Sequence, residues 1–148
     1  MRHWTETVQA GPVTDPDLIA RLRLEVGRFR VAERRRIFDP TLSVGSPAGD
    51  RVSLTVPTRM LEHADREGRS ELVAALLEIA PEGTDTAWTS RAGDPAPVDD
   101  DLTWMAGADA AFRASGLALA SFYVITRDGW VDPRSGERRV WKRLRLDP

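Results

Sequence analysis

The chain has 148 residues, 41% hydrophobic and 30% charged, a balance that suits an ordered domain long enough to bury a core of its own. It contains no cysteine, which excludes disulfides, thiolate catalysis, cysteine-ligated zinc and iron–sulfur clusters, and no asparagine, which excludes N-glycosylation. The net charge of −2 lacks the strongly basic footprint usual for nucleic-acid binding.

Residues 1–13 contain Gly11-Pro12 and little periodicity, and read as an arm or a short edge strand anchored by Trp4 and Val8. A helix follows. Thr14-Asp15 supplies its cap, Pro16 fits the first helical position, and Asp17 complements the dipole. Leu18, Leu22, Val26 and Phe29 form its buried stripe, interrupted at Gly27. The helix is expected to continue to about Arg36, with Asp39-Pro40 as its stop.

Ser46-Pro47-Ala48-Gly49-Asp50 is rich in turn formers. Arg51 to Val56 alternates polar and apolar residues, predicting a half-buried strand with Val52, Leu54 and Val56 inward. Pro57 opens a helix to about Glu67 with Met60, Leu61 and Ala64 as its apolar face, and Gly68 ends or bends it. A further helix from Arg69 to Ala80 buries Leu72, Val73, Leu76, Leu77 and Ile79, and Pro81-Glu82-Gly83 closes it.

Thr86 to Ser90 has the β-propensity of a short strand. After a loop from Gly93, the acidic run Asp99-Asp100-Asp101 caps a helix carrying Met105, Ala108 and Phe112, which Ser115-Gly116 terminates. Leu117 to Ile125 is nearly continuously apolar, as expected of a central strand buried on both faces. Arg127 to Gly136 reads as a turn-forming connection, and Val140 to Leu146 as a final alternating strand. The order of elements predicts a single α+β domain: a small antiparallel or mixed sheet with helices packed on it and a C-terminal β-hairpin.

Chemistry-bearing patterns are sparse. His3 and His63 lie far apart, and no serine sits in a Gly-x-Ser-x-Gly elbow. His63 and Glu67 are four apart, but the two-histidine zinc helix is absent, and the three consecutive aspartates lack the spacing of a calcium loop. Neither common glycine-rich phosphate cradle occurs. No metal and no cofactor is expected.

All but Lys142 of the 21 basic residues are arginine, a bias that weakens arguments from any one of them. The charges nevertheless cluster. Ile19 to Arg36 is basic, Asp85 to Asp109 is acidic, and Arg134 to Leu146 is basic again, blocks that suit mutual neutralisation within the fold or across a dimer. The run Arg34-Arg35-Arg36 fits a helix end whose cations suit the dipole.

The constellation with most chemical content is C-terminal. Trp130, Asp132 and Arg134 lie in the turn, followed by Arg138, Arg139, Trp141, Arg143 and Arg145 on the strand. Exposed, interleaved Arg and Trp stack on bases and contact phosphates; buried, the same indoles complete a core.

The leading expectation is a non-catalytic interaction or regulatory domain that binds another protein or itself, as a homodimer, through a sheet edge or an aromatic surface. Nucleic-acid association through the C-terminal strand is the alternative, though not favoured, and a small-molecule enzyme with an atypical site at His63 or converging acids is the second. No apolar run approaches the roughly 20 residues that span a bilayer, and the first residues lack a signal peptide's apolar stretch, so a cytoplasmic location without membrane contact is expected.

Overall fold

The computed structural model describes residues 15–141. They build an α+β unit in which a six-stranded mixed sheet of order β2-β1-β3-β4-β5-β6 carries helices on both faces. The expected arm (residues 1–13) and the end of the expected last strand lie outside the described residues.

Helix α1 (Pro16–Ala32) starts at Pro16 as expected, with Asp15 at the N-cap position, although the Asp15 side chain makes no capping bond. It runs through buried Gly27 and stops four residues short of the expected Arg36. The cause is local. Glu33 turns extended, and its carboxylate accepts from the Arg35 backbone N–H at 3.1 Å and from the Arg35 guanidinium at 2.8 Å, bonds that compete with another helical turn.

Strand β1 (Thr41–Gly45) was not expected, because five residues between Pro40 and the turn offer too little alternation to stand out. It pairs antiparallel with β2 (Arg51–Thr55) across the expected Ser46–Asp50 turn. Gly45 has φ +139°, and a Cβ there would lie 2.4 Å from the Asp50 carbonyl oxygen, so the hairpin needs glycine. In β2 the expected inward set is only partly enclosed: Val56 just beyond it is buried, Val52 is half-buried, and Leu54 is exposed at the sheet edge.

The long helix expected from Pro57 is a single turn, α2 (Thr58–Leu61), and α3 (Arg66–Leu77) begins two residues before Gly68 rather than after it. Asp65 decides this start: its carboxylate accepts from the Gly68 backbone N–H at 3.0 Å as an N-cap. Val73 and Leu76 are buried as expected, whereas Ile79 lies past the helix end and is 68% exposed.

Strand β3 (Thr86–Ser90) matches its expected limits, and all five residues are buried. Helix α4 (Asp99–Ala114) starts within the aspartate run and closes at Ser115-Gly116. Strand β4 (Ser121–Ile125) is central as expected but shorter, because the Leu117 N–H still bonds the Phe112 carbonyl of α4. The expected connection after β4 contains a strand of its own, β5 (Gly129–Val131), and β6 (Arg138–Val140) pairs with it to give the C-terminal hairpin. Only β3 and β4 are parallel, as the α4 crossover between them requires.

Strand alternation sorts two cores. Leu42, Val44, Ala87, Phe122, Val124 and Val131 face α3 and α4, while Trp88, Tyr123, Ile125 and Trp130 face α1, where Leu22 and Val26 meet them. Helices α3 and α4 touch closely at Gly107, where a Cβ would sit 3.1 Å from both the Arg66 carbonyl oxygen and the Ser70 nitrogen on the α3 backbone. Replacing Gly107 by Val should therefore force the helices apart and lower stability by about 1–3 kcal/mol. Urea denaturation checks this, and an unchanged midpoint would show that the close approach is not required.

Candidate anion-binding cleft

Because β3 and β4 are parallel, both carboxyl ends emerge on one side of the sheet, and β1, antiparallel to β3, begins there too. Three segments converge at this rim: residues 35–38 before β1, 91–94 after β3, and the Arg127-Asp128 turn after β4. They enclose an open concavity of about 220 Å³ lined by Arg35, Arg36, Arg91 and Arg127, with Phe38 at its side and Asp94 and Asp128 at its margin. Crevices outside the carboxyl ends of strands are where open α/β sheets place their ligands.

The four guanidinium groups are not equivalent. Arg91 uses all five of its N–H groups: Nε and one Nη reach the Asp101 carboxylate at 2.9 and 2.8 Å, and the remaining bonds go to the carbonyls of Ala92, Asp94 and Ala96 at 2.8–3.1 Å. Asp101 is 0% exposed and also accepts from the Val98 backbone N–H at 3.0 Å, tying the same loop to the first turn of α4. Arg91 therefore builds the wall and has no donor left over.

Arg35 is held by Glu33. Hydrogen bonds from the Arg35 side chain hold the Glu33 carboxyl down at about 2, so the pair stays charged well into acid. The same contact pushes the Arg35 guanidinium up. Asp39, just before β1, is lowered chiefly because its carboxylate accepts from the Thr58 hydroxyl at 2.7 Å.

Arg36 is exposed, and Arg127 is half-buried on the two-residue turn closed by the Thr126 N–H to the Gly129 carbonyl at 2.8 Å. The Arg127 Nε is enclosed and has no hydrogen-bond partner among the described residues. Buried donors are nearly always paired, and Arg127, which has one that is not, lines the concavity.

The C-terminal constellation is divided. Trp130 and Trp141 are 0% and 2% exposed and belong to the core beneath α1, with Tyr123 edge-on to Trp130 at a centroid distance of 5.5 Å. Arg139 stands opposite Trp130 on the neighbouring strand. The observed strand ends at Val140, where the expected one began, and α1 covers Trp130 and Trp141, which sequence periodicity does not reveal.

Asp132 shapes the turn by accepting from the Arg134 backbone N–H at 2.8 Å, and Arg134 pairs with Asp109 at 3.0 Å. Arg143 and Arg145 lie outside the described residues. His63 is exposed just after α2, and no group of three metal-ligating side chains occurs among the described residues. The cleft is not legible in the sequence, because its arginines come from three distant segments; their only local signal is the Arg34–Arg36 run, which equally fits a helix end.

No protein-family model, curated protein or solved structure matches this chain.

The Arg91–Asp101 pair should be the most sensitive point of the site. Arg91→Gln strands a buried carboxylate and should cost about 3–5 kcal/mol, and Arg91→Lys should recover little of it because an ammonium cannot reproduce the fork. Denaturation midpoints of the two variants test this; wild-type stability in either would remove Arg91 from its structural role.

Proposed function

We propose that this chain is a non-catalytic binding domain that recognises an anionic group of a ligand or partner in the arginine-lined cleft. The observation that carries the reading is Arg127, whose enclosed Nε has no partner and which lines the same concavity as exposed Arg36. The saturated Arg91–Asp101 pair fixes one wall, so an incoming anion meets a partly preformed shape. Among the described residues the lining offers guanidiniums, carboxylates and an aromatic ring, and no imidazole, hydroxyl or thiol to act as a nucleophile or neutral-pH base. Nucleic-acid stacking on the C-terminal strand draws no support from Trp130 and Trp141, both enclosed.

Calorimetric titration with inorganic phosphate provides the direct test. Binding should weaken by about tenfold or more in Arg127→Gln/Arg36→Gln, a loss of about 1.4 kcal/mol, while Arg134→Gln on the ion pair with Asp109 leaves it unchanged. Equal affinity in all three proteins, or none in the wild type, would refute the site.

A second reading, self-association, is supported by the β2 edge. Ser53, Leu54 and Thr55 are exposed, β2 pairs only with β1 among the described residues, and the strand carries neither proline, lysine nor a bulge to protect it. The fitting occupant is a second copy. Antiparallel pairing about a two-fold axis at Ser53 sets Val52 against Leu54 and Arg51 against Thr55, so apolar residues meet and no like charges do. Light scattering coupled to size exclusion should show a concentration-dependent dimer that Leu54→Lys abolishes; a strict monomer at high concentration discards this reading.

A further inference from the structure

We infer that the cleft is one lobe of a longer groove whose ligand is a small, elongated dianion: two acidic groups joined by a short uncharged chain. This rests on the anion-binding reading above and extends it to a ligand class.

The cleft does not end at its margin. Asp94 and Asp128 also line a second concavity of about 400 Å³, walled by Pro95, Ala96 and Val140 and containing Arg138 of β6. The two hollows therefore share a rim of two residues.

Arg138 repeats the chemistry of Arg127. It is half-buried, its Nε is enclosed, and it has no hydrogen-bond partner or ion pair among the described residues. Of the other arginines at this end of the sheet, Arg91 is held by Asp101 and three carbonyls, Arg35 by Glu33, and Arg30 by the Trp141 carbonyl and Asp128, while Arg36 is exposed beside Arg127. Each lobe is thus lined by one arginine that carries an enclosed donor without an acceptor among the described residues. Each such donor incurs the desolvation cost of a buried polar group until an anion arrives.

The shared rim sets the middle of the ligand. Asp94 is exposed and pairs with no cation among the described residues, and Asp128 lies 4.0 Å from Arg30. Carboxylates between the two cationic anchors repel a chain charged along its whole length, which disfavours a nucleic-acid backbone. They tolerate methylenes, which also suit the apolar wall at Pro95, Ala96 and Val140. A free aliphatic dicarboxylate and a peptide with two spaced acidic side chains present the same chemistry. Linking the two acids makes the second contact intramolecular, so the joined ligand should exceed either half.

The experiment is calorimetric titration of the full chain with aliphatic dicarboxylates of increasing length, monocarboxylates of matching length, a capped Glu-Gly-Glu peptide, a short single-stranded oligonucleotide and inorganic phosphate. Affinity should pass through an optimum with chain length, the best diacid binding about tenfold or more tighter than its monoacid. Arg138→Gln should reduce the diacid to the monoacid's affinity while phosphate binding is kept. Tighter binding of the peptide than of any free diacid would support the dianion and assign its source to a protein. Among the described residues neither the Arg127 nor the Arg138 side chain makes an ion pair within 4.0 Å, so the Gln variants should fold, as circular dichroism verifies. Equal binding of diacid and monoacid with phosphate binding intact overturns the two-lobed groove alone, as does tighter binding of the oligonucleotide. Loss of phosphate binding by the wild type overturns the anion cleft with it.

Discussion

The fork between Arg91 and Asp101 is the constraint on which the candidate site depends. A carboxylate with 0% exposure is tolerable only if its charge and lone pairs are met, and here a bidentate guanidinium and the Val98 N–H meet them. The same guanidinium then closes the turn after β3 by holding the carbonyls of Ala92, Asp94 and Ala96. One side chain thereby joins the end of a central strand, the loop that forms the wall of both hollows and the start of α4.

A comparable fork supports the opposite end of the sheet. Glu25 of α1 receives Arg51 of β2 and the Ala48 N–H at 2.7 Å, and the Arg51 guanidinium lies 5.1 Å from the centre of the Trp88 ring. This contact pins the β1–β2 turn, where Ala48 adopts φ 59°, beneath α1. On the other face, Arg69 packs over Trp104 at 4.9 Å and reaches Asp100 at 2.6 Å. The arginine-rich composition is thus put to structural use three times, each guanidinium neutralised by an acid from a distant segment. Against that background Arg127 and Arg138 differ because neither side chain meets an acid within ion-pair distance among the described residues.

The division of labour between the two faces follows from strand alternation. Short strands of five residues or fewer bury only two or three side chains per face, so each face needs large rings or close helix packing to exclude water. The α1 face uses Trp88, Trp130 and Trp141; the other face uses two helices brought together at Gly107. Tryptophans that looked available for stacking are consumed by the first solution. The rim beyond the carboxyl ends of β3 and β4 carries Arg127, whose Nε has no acceptor among the described residues.

Several features were legible in the sequence because they depend on near neighbours. Pro16 at a helix start, the aspartates of the first turn of α4, the Ser46–Asp50 turn and the β-propensity of Thr86 to Ser90 are local signals, and each element formed where its signal stood. The α+β class and the terminal hairpin follow from their order. Where a local bond competed with a longer pattern the pattern lost: the Glu33–Arg35 contact shortened α1, and the Asp65 cap moved the start of α3 ahead of Gly68. Only the tertiary structure decided which face of the C-terminal hairpin α1 covers and which arginines meet an acid. Those outcomes depend on side chains tens of residues apart in the chain, and periodicity carries no information about a partner across the sheet.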